Sequence, residues 1–133
     1  MSETFTILKS VELDYGVAEL RSDNILTFEP NHLLKDYTVP ILKELLSAFI
    51  EITEGKPRLY YCNNSYILSM LSKEEQDFVN KHFLEFATAF AMLEGSPITR
   101  LITNSFISAY KPIIPVKMFK RKEDAITWLK EKG

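Results

Sequence analysis

The segment Phe86-Ala-Thr-Ala-Phe-Ala-Met-Leu93 places apolar residues at both odd and even positions and stops at Glu94-Gly95-Ser96-Pro97. Propensity alone would also let it continue the helix that precedes it. A short apolar run closed by turn residues instead reads as a strand buried on both faces. Such a strand needs helices above and below it, which restricts the chain to a layered α/β fold.

The flanking segments fit that reading. Val11-Glu12-Leu13-Asp14-Tyr15 alternates with period two, and Gly16 permits a bend or bulge. Val17 to Arg21 and Ile25 to Glu29 form a hairpin around Ser22-Asp23-Asn24. Thr4 to Leu8 is a further edge strand. Thr38-Val39-Pro40 opens a helix, because proline is tolerated in a first turn. Ile41, Leu42, Leu45, Leu46, Phe49 and Ile50 recur at helical spacing before Gly55 and Pro57.

Arg58 to Cys62 is a strand. Ser72-Lys73-Glu74-Glu75 is a capping box, opening a helix that buries Phe78, Val79 and Phe83. Pro97 starts another helix, with Ile98, Leu101, Ile102, Phe106 and Ala109 in one stripe. Pro115 to Lys120 alternates again, with Val116 and Met118 on one face and Phe119 on the other. The last helix runs from about Lys122, with Glu123 and Asp124 suiting the helix dipole and Ala125, Trp128 and Leu129 as its buried stripe. The expected architecture is a mixed β-sheet with an N-terminal hairpin and about four helices. At 133 residues and 46% hydrophobic content, a single domain over residues 1–133 is expected.

That order of elements resembles the STAS domain, and more closely the bacterial SpoIIAA-like (STAS-like) proteins. The resemblance rests on Tyr15-Gly16-Val17-Ala18-Glu19-Leu20, on Thr38 and the helix to Glu54-Gly55-Lys56, and on Ala87-Thr88-Ala89-Phe90-Ala91. It ends on Pro115 to Phe119 followed by Glu123-Asp-Ala125-Ile-Thr-Trp128-Leu129, and the core of the match runs from about residue 11 to 132. It implies a non-enzymatic protein-interaction or regulatory module. Some SpoIIAA-like proteins look similar to lipid carriers, which implies a small lipid-like ligand as the alternative. Regulatory STAS domains carry a phosphorylatable serine in an Asp-Ser-Ser/Thr-Gly segment. Here the comparable stretch is Leu71-Ser72-Lys73-Glu74, without the aspartate and the glycine. Ser72 is the phosphorylation candidate, although an N-cap role explains it by itself.

The chemistry-bearing residues are sparse. His32 and His82 are the two histidines, and no Cys/His spacing suits a metal, so no metal site is expected. No glycine-rich cradle or nucleophile elbow occurs, so no cofactor and no catalytic residue is expected. Cys62 is the single cysteine, which excludes an internal disulfide and fits a reducing, cytoplasmic setting. The start lacks a basic stretch with an apolar run, so no secretory signal is expected. No apolar run approaches the roughly 20 residues of a membrane span. The net charge is −2 and the basic cluster is confined to Lys117, Lys120, Arg121 and Lys122, too narrow a footprint for nucleic acid.

Two candidate sites remain. Gly95, Ser96 and Arg100 join a strand end to a helix start, where free amides and a guanidinium attract anions. Tyr66, Leu68, Met70, Ile107, Tyr110, Ile113 and Ile114 are apolar residues in or near loops. They pack over the sheet edge, form a homodimer interface, or line an apolar pocket.

Overall fold

The structure, a computed structural model, describes residues 4–64, 72–93, 97, 100, 101, 104 and 113–133. Its strands are β1 (Ile7–Leu13), β2 (Gly16–Arg21), β3 (Ile25–Pro30), β4 (Arg58–Asn63), β5 (Ala87–Leu93) and β6 (Val116–Phe119). They form one six-stranded sheet in chain order, β1-β2-β3-β4-β5-β6. The pairs β1–β2 and β2–β3 are antiparallel. The pairs from β3 to β6 are parallel. The expected mixed α/β sheet is therefore present.

The first strand differs from its sequence pattern. Thr4–Leu8 and Val11–Tyr15 were expected as separate pieces, yet Ile7–Leu13 is continuous. The register against β2 shifts between Ile7 and Lys9. The residue between them, Leu8, interrupts the alternation without breaking the backbone pairing, as a bulge does. The β2–β3 turn is as expected, with Asn24 in the left-handed region at φ 70°. The Arg58 guanidinium donates to Asn24 Oδ1 at 2.7 Å and ties that turn to β4.

Helix α1 (Val39–Thr53) follows from its caps. Thr38 accepts from the Ile41 amide, a proline lies in the first turn, and Glu54 and Gly55 close the helix at φ 57° and 73°. The Gly55 amide reaches Ile50 O at 3.1 Å, which satisfies a carbonyl the helix end would otherwise leave open. Helix α2 (Lys73–His82) runs into a 3-10 turn at Phe83–Glu85, and α3 (Lys122–Lys132) follows β6. Three α-helices thus have full bounds where about four were expected. The expected helix from Pro97 to Ala109 lies mostly outside the described residues, although Pro97, Arg100, Leu101 and Asn104 are helical.

Every parallel step moves the same way across the sheet. Right-handed crossovers from β3 to β4 and from β4 to β5 then place α1 and α2 on one common face, and α3, after β6, covers the other. The two cores match this. Leu45, Phe49 and Ile52 of α1 pack with Leu26, Phe28, Tyr60 and Phe90. Ala125, Ile126 and Leu129 of α3 pack with Ile25, Leu59, Tyr61, Ala89 and Ala91.

Strand β5 contributes to both cores, as its composition requires. It is the second strand from the β6 edge rather than the middle of the sheet. Its register shifts so that Arg58 pairs with Ala87 and Leu59 with Ala89. Thr88 is skipped and exposed, and Ala87 joins the α1-side core along with Phe90.

Two expected buried stripes need correction. No residue of α2 is buried: Phe78 and Val79 are half-buried because α2 packs on α1. Phe83, in the 3-10 turn, is the one of the three that is fully buried in the core, and Val79 packs against its margin. In α3 the buried residues are Ala125, Ile126 and Leu129. Trp128 sits at the flank, half-buried, with its ring 5.7 Å from that of Phe119.

Candidate interaction surface

The sheet has two edges, and β1 forms the longer one. Phe5, Ile7 and Leu8 at its start are 42%, 42% and 58% exposed. Among the described residues β1 pairs only with β2, so the backbone groups on its outer side have no strand partner. Bare edge groups are a template for an added strand. The edge also carries Lys9 and Glu12, and Lys9 Nζ meets Glu54 Oε1 at 2.6 Å across to the end of α1.

The start of β1 is fixed by a clasp that begins with one strand residue. Arg21 lies on the face of β2 away from α1 and is only 5% exposed. A buried guanidinium must be paired. Arg21 Nε and Nη2 donate to Asp23 Oδ1 and Oδ2 at 2.9 and 2.6 Å. Lys130 Nζ of α3 lies 3.3 Å from Asp23 Oδ2. The Phe5 ring stacks on the guanidinium at 3.5 Å. Thr6 and Ser22 exchange two hydrogen bonds, from the Thr6 amide to Ser22 Oγ at 2.9 Å and from the Ser22 amide to Thr6 O at 2.8 Å. One buried cation thus joins the N-terminal arm, the β2–β3 turn and the last helix.

Burial raises the Asp23 carboxyl, but hydrogen bonds and charge from Arg21, then Lys130, hold it below its ordinary value. A lowered folded pKa contributes stability above the unfolded carboxylate pKa, and that contribution is lost as pH falls through the folded value. Asp23→Asn leaves Arg21 without its counter-ion, so a loss of about 1–3 kcal/mol is expected at neutral pH. Urea unfolding from neutral to acid pH checks this. The gap between the two proteins should close at low pH, and a gap that persists unchanged there would contradict the assignment.

A second polar group sits at the carboxyl ends of β4 and β5. Tyr37 OH donates to Asn64 Oδ1 at 2.8 Å, and Cys62 Sγ donates to the same oxygen at 3.1 Å. Tyr37 OH and Cys62 Sγ are 3.4 Å apart. Asn64 Nδ2 faces Met92 Sδ at 3.7 Å. Burial pushes the Cys62 thiol up to about 12, against the opposing effect of the neighbouring Tyr37 and Tyr60 hydroxyls. The thiol is therefore protonated and packs as a small hydrophobe. Among the described residues no group of three His, Cys, Asp or Glu side chains is placed to hold a metal ion. No helix among them is long and apolar enough to cross a membrane.

A family model described as a domain of unknown function, DUF7793, matches residues 19–132. The chain belongs to the DUF7793 family. The curated proteins give no match to it. A crystal structure of an uncharacterized DUF3478-family protein with a SpoIIAA-like fold, from Shewanella loihica PV-4, superimposes on the DUF7793 chain with a TM-score of 0.58. The two are 16% identical, over 97% of this chain and 98% of that one. At that identity the likeness is one of fold, and the fold is SpoIIAA-like. A protein with unknown function from Arthrobacter sp. FB24 is 20% identical over 90% of this chain and 95% of that one, at a TM-score of 0.28.

Within this DUF7793 chain the sequence candidates scatter. Ser72 caps α2: its Oγ accepts from the Glu75 amide at 3.2 Å, and Glu75 Oε1 accepts from the Ser72 amide at 2.8 Å. Ser72→Ala should cost about 1 kcal/mol of helix stability. Hydrogen exchange checks it: the α2 amides should exchange faster while the β3 and β4 amides do not change. Equal protection of α2 in both proteins would count against the cap.

Arg100 is exposed, while Gly95 and Ser96 lie outside the described residues. Of the apolar set, Tyr66, Leu68, Met70, Ile107 and Tyr110 also lie outside them. Ile113 is 64% exposed, and Ile114, at 6%, belongs to the α1-side core. The Arg21 clasp and the Tyr37–Cys62–Asn64 group are absent from the sequence reading. The only local signal for the clasp is an arginine on a strand followed two residues later by a turn aspartate.

Proposed function

We propose that this protein is a non-enzymatic protein-interaction or regulatory module, with residues 1–133 acting as one STAS-like domain in the cytoplasm. The observation that supports this is the open edge of β1, with apolar side chains exposed at Phe5, Ile7 and Leu8. Strand addition at such an edge takes its affinity from main-chain hydrogen bonds and its specificity from alternate side chains. The partner is a chain that offers an extended segment. A second copy is one form of it, read as a dimer by light scattering.

The test compares partners recovered by affinity purification with wild type, Ile7→Lys and Leu8→Lys. Both positions are exposed, so melting should be unchanged, while a charge on the edge disfavours an added strand. A defined partner, or the dimer, should be lost at least tenfold in both variants. Equal recovery in all three proteins would overturn the reading. The alternative, a binder of small lipid-like ligands, draws on exposed Ile113 beside buried Ile114. Lipid bound in native mass spectra of all three proteins would favour it.

A further inference from the structure

We draw no further inference here: the strongest candidate, the sheet face of β1–β3 turned away from α1 and carrying Glu12, Glu19 and Glu29, is an acidic cluster beside which nothing in the structure points to a ligand.

Discussion

Phe49→Ala should lower the unfolding free energy by about 3–5 kcal/mol, the range for truncating a buried aromatic residue. Phe49 is the hub of the larger core. Its ring lies 6.0 Å from Phe28, 5.2 Å from Tyr60 and 5.2 Å from Phe86. Tyr60 in turn stacks on Phe90 at 4.7 Å. The three neighbours come from β3, β4 and the residue just before β5, and Tyr60 carries the contact on to β5, so a cavity at Phe49 opens beneath several strands at once. Rings held by several strands cannot collapse into that space without moving backbone. Urea unfolding at neutral pH is the measurement. Leu84→Ala, at a side chain 54% exposed, is the control and should fall within about 0.5 kcal/mol of wild type. A loss at Phe49 as small as the control's would mean that α1 is not seated on this face.

The second large effect is expected at Gly16, where the cause is added rather than removed volume. A Cβ placed there would lie 2.7 Å from Glu29 O and 2.8 Å from the Phe28 ring. The ring can give a little, but the carbonyl is backbone of the paired strand, with Gly16 opposite Pro30 and Val17 opposite Glu29. Gly16→Ala should therefore cost about 1–3 kcal/mol, and Gly16→Val more. The contrast is Gly55→Ala: its Cβ meets nothing within 4 Å, and its cost comes from φ +73° alone. If near-ultraviolet circular dichroism and urea midpoints both remain at wild-type values in Gly16→Ala, the close approach of β2 and β3 is wrong.

What could be read from the sequence followed physical locality. Strand β5 is legible because both of its faces are buried, so every position except Thr88 is apolar. Helix α1 is legible because its stripe, its Thr38 cap and its Gly55 stop agree. Strand β1 is misread at Leu8, where a bulge interrupts the period that a reader counts. The buried stripe of α2 is misread because amphipathic spacing shows which side faces inward, not how deep the helix sits. Arg21, Asp23 and Lys130 are illegible as a group: their meeting depends on where α3 lands, and Lys130 lies more than 100 residues after Asp23. Of the apolar candidates, Ile114 went to the core and Ile113 to the surface, although they are neighbours in sequence. Helical or extended periodicity has nothing to say about such a pair where the chain follows neither.

The sheet adds its strands in the order in which the chain is made. During synthesis each newly emerged strand finds its neighbour already in place, so growth can proceed outward from the first hairpin without waiting for distant sequence. Helix α3 is the exception. It follows β6, yet its Lys130 must find Asp23 in the β2–β3 turn. Residues 122–132 therefore act as the seal of the second core, and a nascent chain still tethered short of them leaves Ile25, Leu59 and Tyr61 bare to water.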